Sequence, residues 1–243
     1  RPSHQTAEIK ALVNDHQGHP IEFPLLEIQS KSQNETFQNI VLKLNDYDWA
    51  IFISSNAVQF GMPAVKHAFH TLPESTKFAA IGPSTQKALK LFDVNHVLIP
   101  DENFDSEGLL ATEEMNDIKN KKIVIFRGEG GRETLAETLR ARGAEVTYAE
   151  CYTRTFPQTN LDLLKTFSEK IHISAILITS SEACKEFVRL NRLKDMGFLK
   201  DVLFIVNHPR MVNVLERESF MTFSSDEPSD QSMMKKLLET IDH

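Results

Sequence analysis

The chain has 243 residues, 41% hydrophobic and 25% charged, an ordinary soluble composition with room for one large domain or two of roughly 120 residues. Its 27 Lys and Arg against 34 Asp and Glu give a net charge of −7, which argues against nucleic acid as a partner because phosphate binding needs a basic face. Only two cysteines leave no disulfide framework or thiolate zinc cage, no run reaches the ~20 apolar residues of a membrane span, and RPSHQTAEIK lacks the apolar core of a secretory leader, so a cytoplasmic location is expected.

In chain order, short β-rich runs alternate with helical patterns, the signature of βαβ units and an α/β fold. The predicted strands are Ile21–Ile28, Trp49–Ser54, Phe78–Gly82, His96–Pro100, Ile123–Phe126, Glu145–Tyr152, Ala175–Thr179, Val202–Val206 and Phe220–Phe223. Continuous apolar runs such as Ile123-Val124-Ile125-Phe126 suit parallel strands covered on both faces. Between them, Ala57–Phe69 reads as a helix that Pro63 kinks or splits, and Ser106–Ile118 and Asp230–Ile241 as helices opened by Asp or Ser caps. Arg132–Arg142 is an amphipathic helix with Leu135 and Leu139 on one face and Gly143 as its stop. The more polar Gln29–Asn45 and Thr153–Ile171 lack strand character and are expected to be crossings between domains.

The chain also repeats itself. Ala50–Asn56 (AIFISSN) and Ala175–Ser181 (AILITSS) lie 125 residues apart, as do Phe78–Leu89 and Leu203–Val214, Asp105 and Asp230, and Gly18 and Gly143, while Arg1 and Arg127 lie 126 apart, a slip of one residue. A repeat of constant offset predicts two similar units. It also predicts a strand of about four residues upstream of Arg1, matching the one before Arg127.

In open parallel sheets, ligands bind beyond the carboxyl ends of the strands. The loops there are polar: Ser54-Ser55-Asn56, Gly82-Pro83-Ser84-Thr85, Arg127-Gly128-Glu129-Gly130-Gly131-Arg132, Arg1-Pro2-Ser3, Thr179-Ser180-Ser181 and Asn207-His208-Pro209. Each leads into a helix N-terminus, whose free N–H groups and positive dipole end favour anions. Any one loop is explained as an ordinary cap; six at matching strand ends point to anion sites. The glycines at 128–131 lack the third Gly of GxGxxG, and no GK[ST] follows, so nucleotide binding is not expected. Arg127 follows four apolar strand residues and should emerge at the sheet's edge to meet a carboxylate. The i, i+3 pairs His16/His19 and His67/His70 lack further zinc ligands and read as solvated, and Cys151 and Cys184 read as packing thiols. Tyr152 ends a strand beside the presumed crossing; it is either a hinge aromatic or a proton donor, since a phenol is protonated at neutral pH.

These residues are similar to those of the uroporphyrinogen-III synthase family along essentially the whole chain. The resemblance is carried by Arg1-Pro2, PLLEI at Pro24–Ile28, FISSNAV at Phe52–Val58, AIGPSTQKAL at Ala80–Leu89, DSEGLL at Asp105–Leu110, FRGEGGRETLAETLRARGAEV at Phe126–Val146 and CYTRT at Cys151–Thr155. It implies two similar flavodoxin-like, parallel-sheet, three-layer domains, residues 1–33 with 157–243 and residues 34–156, joined by two extended crossings with the active site in the cleft between them. It implies cyclisation of hydroxymethylbilane, an octacarboxylate, to uroporphyrinogen III with loss of water and inversion of ring D through a spiro intermediate. Tyr152 matches the family's functional tyrosine. Arg1, Ser54, Ser55, Asn56, Gly82, Ser84, Thr85, Arg127, Gly128, Gly130, Gly131, Arg132, Thr179, Ser180, Ser181, His208 and Arg210 become candidates for holding substrate carboxylates. The resemblance implies no metal or cofactor, and nothing in the sequence suggests an oligomer seam, so a monomer is expected. The alternative is a two-lobed binding protein, without chemistry, for a tetrapyrrole or other polyanionic metabolite.

Overall fold

Each short apolar run contributes to a strand, with shifted ends. In the computed structural model, which describes residues 6–156, 160–194 and 196–241, the chain runs α1 (Ala7–Asp15), β1 (Glu27–Ser30), α2 (Glu35–Leu42), β2 (Trp49–Phe52), α3 (Ser55–Ala68), β3 (Lys77–Ala80), α4 (Pro83–Lys90), β4 (Val97–Leu98) and α5 (Ser106–Leu110). It continues with β5 (Lys122–Gly128), α6 (Thr134–Ala141), β6 (Glu145–Thr155), α7 (Asn160–Lys170), β7 (Ala175–Ile178), α8 (Ser181–Lys194), β8 (Leu203–Val206), α9 (Pro209–Glu216), β9 (Thr222–Ser224) and α10 (Asp230–Ile241). The chain divides into two units, Arg1–Glu27 with Thr155–His243 and Ile28–Arg154.

The middle unit is built on a six-stranded sheet of order β1-β6-β5-β2-β3-β4, with parallel pairing from β6 through β4. Alternate side chains of its central strands leave opposite faces. Ala50, Phe52, Val124 and Phe126 pack with Phe37, Val58 and Leu89 from α2, α3 and α4. Trp49, Ile51, Ile123 and Ile125 pack with Leu109, Leu135 and Leu139 from α5 and α6. Phe52 and Phe126 stack with centroids 4.3 Å apart. The other unit has a parallel three-stranded sheet, β7-β8-β9. One face packs against α8 and α9 through Phe187, Met211 and Leu215, the other against α1 and α10 through Leu12, Met233 and Leu237.

Several expectations are corrected. The run from Ile21 pairs only from Glu27 onward; Pro20 and Pro24 have no N–H for a ladder, and Leu25 and Leu26 are buried instead. The stretches Gln29–Asn45 and Thr153–Ile171, expected to lack strands, begin inside β1 and β6 and hold helices α2 and α7. Helix α3 runs through Pro63 unsplit. The helix expected over Ser106–Ile118 ends at Leu110 and resumes as a 3₁₀ turn, Glu113–Met115. Helix α10 is capped by Ser229, whose Oγ accepts the Ser232 N–H at 3.2 Å. Gly143 does terminate α6: at φ 89° it donates to Arg140 O at 2.9 Å while Ala144 N–H reaches Leu139 O at 3.1 Å, a Schellman pair.

The repeat is present, but its offset shifts. Elements β2, α3, β3 and α4 each begin and end 126 residues before β7, α8, β8 and α9. Register agrees, with Trp49 paired to Lys77 and Ala175 to Leu203. At β4 and β9 the pairing gives the expected 125, with Phe78 paired to Val97 and Phe204 to Thr222. Identity alone favours 125, which aligns Ala50, Ile51 and Ile53 with Ala175, Ile176 and Ile178, but strand pairing sets these elements at 126.

Candidate functional site

The chain's path through the six-stranded sheet reverses at β2: β3 and β4 extend to one side, β5 and β6 to the other. The loops after β2 and β5 therefore diverge, and such a switch point is where open α/β sheets bind ligands. Ser54 follows β2 and caps α3, its Oγ accepting the Ala57 N–H at 3.1 Å. Gly128 ends β5. A register shift after Arg127 sets Gly128 opposite Tyr152. The Tyr152 ring lies on Gly128 and tilts against Phe60 at 5.7 Å. Its hydroxyl is 3.4 Å from Ser54 Oγ and accepts from Arg154 Nη2 at 3.3 Å, with the guanidinium 5.6 Å from the ring centroid. Tyr152 is only 1% exposed, so its hydroxyl does not open to solvent directly; half-buried Ser54 and exposed Arg154 are its polar neighbours.

Arg127 does not emerge at the sheet edge. It is 2% exposed, and the following loop folds back over it. Its Nε donates to Gly128 O at 3.2 Å, Nη2 donates to Gly130 O, and Nη1 pairs with Glu133 at 3.0 Å. The guanidinium lies 4.5 Å from the Tyr148 ring centroid, and the Tyr148 hydroxyl donates to Glu133. The Tyr148 hydroxyl, and then Arg127, hold the Glu133 carboxyl below its usual range. Burial and the Glu133 carboxylate raise the Tyr148 phenol. Gly130 and Gly131 take φ of 70° and 106°, which lets the loop turn back. Of its N–H groups, that of Glu129 donates to Tyr152 O at 2.8 Å and that of Gly130 to Glu150 at 3.4 Å. Arg127 thus organises the loop, and the loop's own carboxylates occupy its cationic centre. Arg132 is exposed, with no ion pair among the described residues.

At the third loop, Gly82 caps α4 without a side-chain acceptor and Pro83 occupies its first turn. Ser84 is exposed, and Thr85 is 2% exposed with no hydrogen bond to its hydroxyl among the described residues. Ser55 is exposed and Asn56 half-buried at the start of α3. With no side-chain cap on α4, the first N–H groups of that helix are not taken up by a capping side chain.

In the other unit Ser180 caps α8 as Ser54 caps α3, accepting the Ala183 N–H at 3.1 Å. His208 caps α9 through Nδ1, which accepts the Arg210 N–H at 3.2 Å. Arg210 Nε donates to Ser181 Oγ at 3.1 Å, and Asn207 Nδ2 donates to Thr179 O at 2.8 Å. Thr179, Ser181, His208 and Arg210 are thereby gathered at the ends of β7 and β8. Arg1 lies outside the described residues. A cavity of about 380 Å³ between α8 and α9, lined by Lys185, Val188, Arg189, Arg192, Leu193 and Val214, includes none of these loop residues.

Two residues escaped the sequence reading. Arg154 follows Tyr152 by two on a strand, so it shares its side of the sheet; that period was the available signal. Lys31 pairs with Glu129 at 3.2 Å and Glu150 at 3.5 Å, a relation across the chain with no local signal. The cysteines are buried packing groups, and burial pushes the Cys151 thiol up to about 12 and the Cys184 thiol up to about 11. Among the described residues no group of three His, Cys, Asp or Glu is placed to hold a metal, and no helix is long and apolar enough to cross a membrane.

Known proteins resemble this chain along most of its length. Residues 7–235 match the family model described as uroporphyrinogen-III synthase HemD. The chain is 33% identical to the uroporphyrinogen-III synthase of Proteus mirabilis over 64% of its length and 78% of that protein. It is 36% identical to the Escherichia coli K12 enzyme over 54% of each. Among solved structures, a mutant uroporphyrinogen III synthase from Thermus thermophilus superposes with a TM-score of 0.63 at 16% identity, covering 98% of this chain and 96% of that one. The Helicobacter pylori 26695 enzyme gives 0.60 at 16% identity, covering 89% and 91%. Those two likenesses speak to the fold, and the sequence match carries the assignment: the chain belongs to the uroporphyrinogen-III synthase family, cyclising lyases of porphyrin biosynthesis.

Proposed function

We propose that the chain cyclises hydroxymethylbilane to uroporphyrinogen III, with its two units acting as flavodoxin-like lobes whose loops take the substrate's carboxylates. The observation that carries this reading is the Tyr152 phenol, held at the switch point of the sheet 3.4 Å from Ser54 Oγ. In the reaction the ring A hydroxymethyl carbon loses its hydroxyl as water, leaving an electrophilic azafulvene. The substituted carbon of ring D attacks, the spiro intermediate opens, and closure follows at the other carbon with ring D inverted. Unaided closure proceeds without inversion, so holding one conformer is the larger contribution. Acid assistance to the departing hydroxyl, typically worth about 10²–10⁴-fold, is the smaller one.

In this reading Tyr152 is the source of the proton. Ser84, Thr85 and the N–H groups from Gly82 receive carboxylates at the uncapped end of α4, with Ser55 and Asn56 beside α3. Arg132 and the Gly131 N–H receive another, on a loop that Arg127 keeps folded. Arg1, Thr179, Ser180, Ser181, His208 and Arg210 serve the substrate from the other unit. Electrostatic capture of an octa-anion by a chain of net charge −7 relies on these local groups, so KM rises with ionic strength.

The test incubates the chain with hydroxymethylbilane, oxidises the products and resolves isomers I and III. Predominant isomer III is expected. Isomer I alone, at the spontaneous rate, rejects the reading and leaves a carrier of polyanionic metabolites.

A further inference from the structure

The enclosure of Tyr152 raises a question that the synthase reading leaves open, namely how a phenol 1% exposed delivers a proton to a bound molecule. Its hydrogen bonds define a direction. A guanidinium can only donate, so Arg154 Nη2, at 3.3 Å, occupies a lone pair of the phenolic oxygen. With that lone pair taken, Ser54 Oγ, 3.4 Å away, is the partner to which the phenolic O–H is directed in the relay. A serine hydroxyl has two lone pairs and one proton. One lone pair of Ser54 takes the Ala57 N–H at 3.1 Å, and the other faces Tyr152. With Tyr152 as the donor, the Ser54 proton points away from both, and Ser54 is half-buried where Tyr152 is buried.

We propose that Ser54 relays the proton of Tyr152 to the substrate and that Arg154 is the positioning residue that sets the relay's direction. This rests on the synthase reading and deepens it. As the C–O bond of the substrate hydroxymethyl group breaks, the Ser54 O–H proton passes to the leaving oxygen and water departs. The Tyr152 proton moves onto Ser54 Oγ. The phenolate that remains accepts from Arg154. The proton released when the macrocycle closes returns by the same path, so atoms and charges balance over the cycle. Gly128 belongs to the same arrangement, because only a residue without a β-carbon lets the ring lie this close to β5.

The experiment compares kcat and KM for isomer III formation in four variants, with folding checked by circular dichroism and thermal unfolding. Ser54→Asn keeps an oxygen to cap α3 but has no hydroxyl to relay; Ser54→Thr keeps both. Arg154→Met removes the donor; Arg154→Lys keeps a donor-only cation. The relay requires kcat to fall about tenfold or more in Ser54→Asn and Arg154→Met, with KM within about threefold and the fold intact. Ser54→Thr and Arg154→Lys recover most of that loss. Wild-type kcat in Ser54→Asn or Arg154→Met, losses confined to KM, or an Arg154→Lys no better than Arg154→Met overturns the proposal while the synthase reading stands. A wild-type chain that forms no isomer III removes both.

Discussion

The Tyr152 ring rests on the α-carbon of Gly128 so closely that a β-carbon added there would fall 2.5 Å from Cε2 and 2.6 Å from Cζ. No flexible side chain can yield to it, since the ring is also held by Phe60. Gly128→Ala is therefore expected to displace the ring and pull its hydroxyl away from Ser54. Overpacking of this kind costs about 1–3 kcal/mol. Stability to urea and the rate of isomer III formation should both fall; an alanine variant with wild-type stability and rate contradicts the contact.

Arg127 is a second test, because its sequence context pointed outward and its position is inward. Arg127→Met fills similar volume but leaves the carbonyls of Gly128 and Gly130 and the Glu133 carboxylate without their donor. Glu133 is solvent-exposed and keeps its hydration, so the cost comes from the two carbonyls and the lost stacking on Tyr148, about 1–3 kcal/mol. Arg127→Lys does not restore it, since one ammonium cannot span three acceptors. Denaturant melts of the two variants check this; full recovery by lysine contradicts it.

The acid limb of stability offers a third. Asp48 accepts the Lys122 N–H at 2.8 Å and pairs with Lys121 at 3.0 Å, and these hold its carboxyl below the usual aspartate range. A carboxyl depressed in the folded chain adds stability above its unfolded value and loses it as pH falls through the folded one. The unfolding free energy should therefore drop below about pH 4, and more shallowly in Asp48→Asn. The side chain is 38% exposed, so solvent screening reduces the contribution to about 1 kcal/mol or less. Stability measured from about pH 2 to 7 checks it; identical slopes for the two chains contradict it.

Much of the fold is legible in short segments. Four-residue apolar runs become β2, β5, β7 and β8, and Gly143 stops α6, because pleat, cap and turn depend on neighbours a few positions away. The polar strand-end loops of both units were legible for the same reason. The difference between an offset of 125 and 126 was not. Identity favours 125, aligning Ala50, Ile51 and Ile53 with Ala175, Ile176 and Ile178, and only pairing, Trp49 with Lys77 and Ala175 with Leu203, selects 126.

The sequence by itself determined the alternation of elements, the doubling, the polar helix entries at strand ends and the family, all properties of local pattern or linear order. Tertiary structure alone decided that Arg127 turns inward, that Tyr152 faces Gly128 and that Arg154 and Ser54 flank its hydroxyl. A register shift between β5 and β6 and the loop folding back on Arg127 bring these groups together, and burial of a charge or phenol depends on partners that no local window contains.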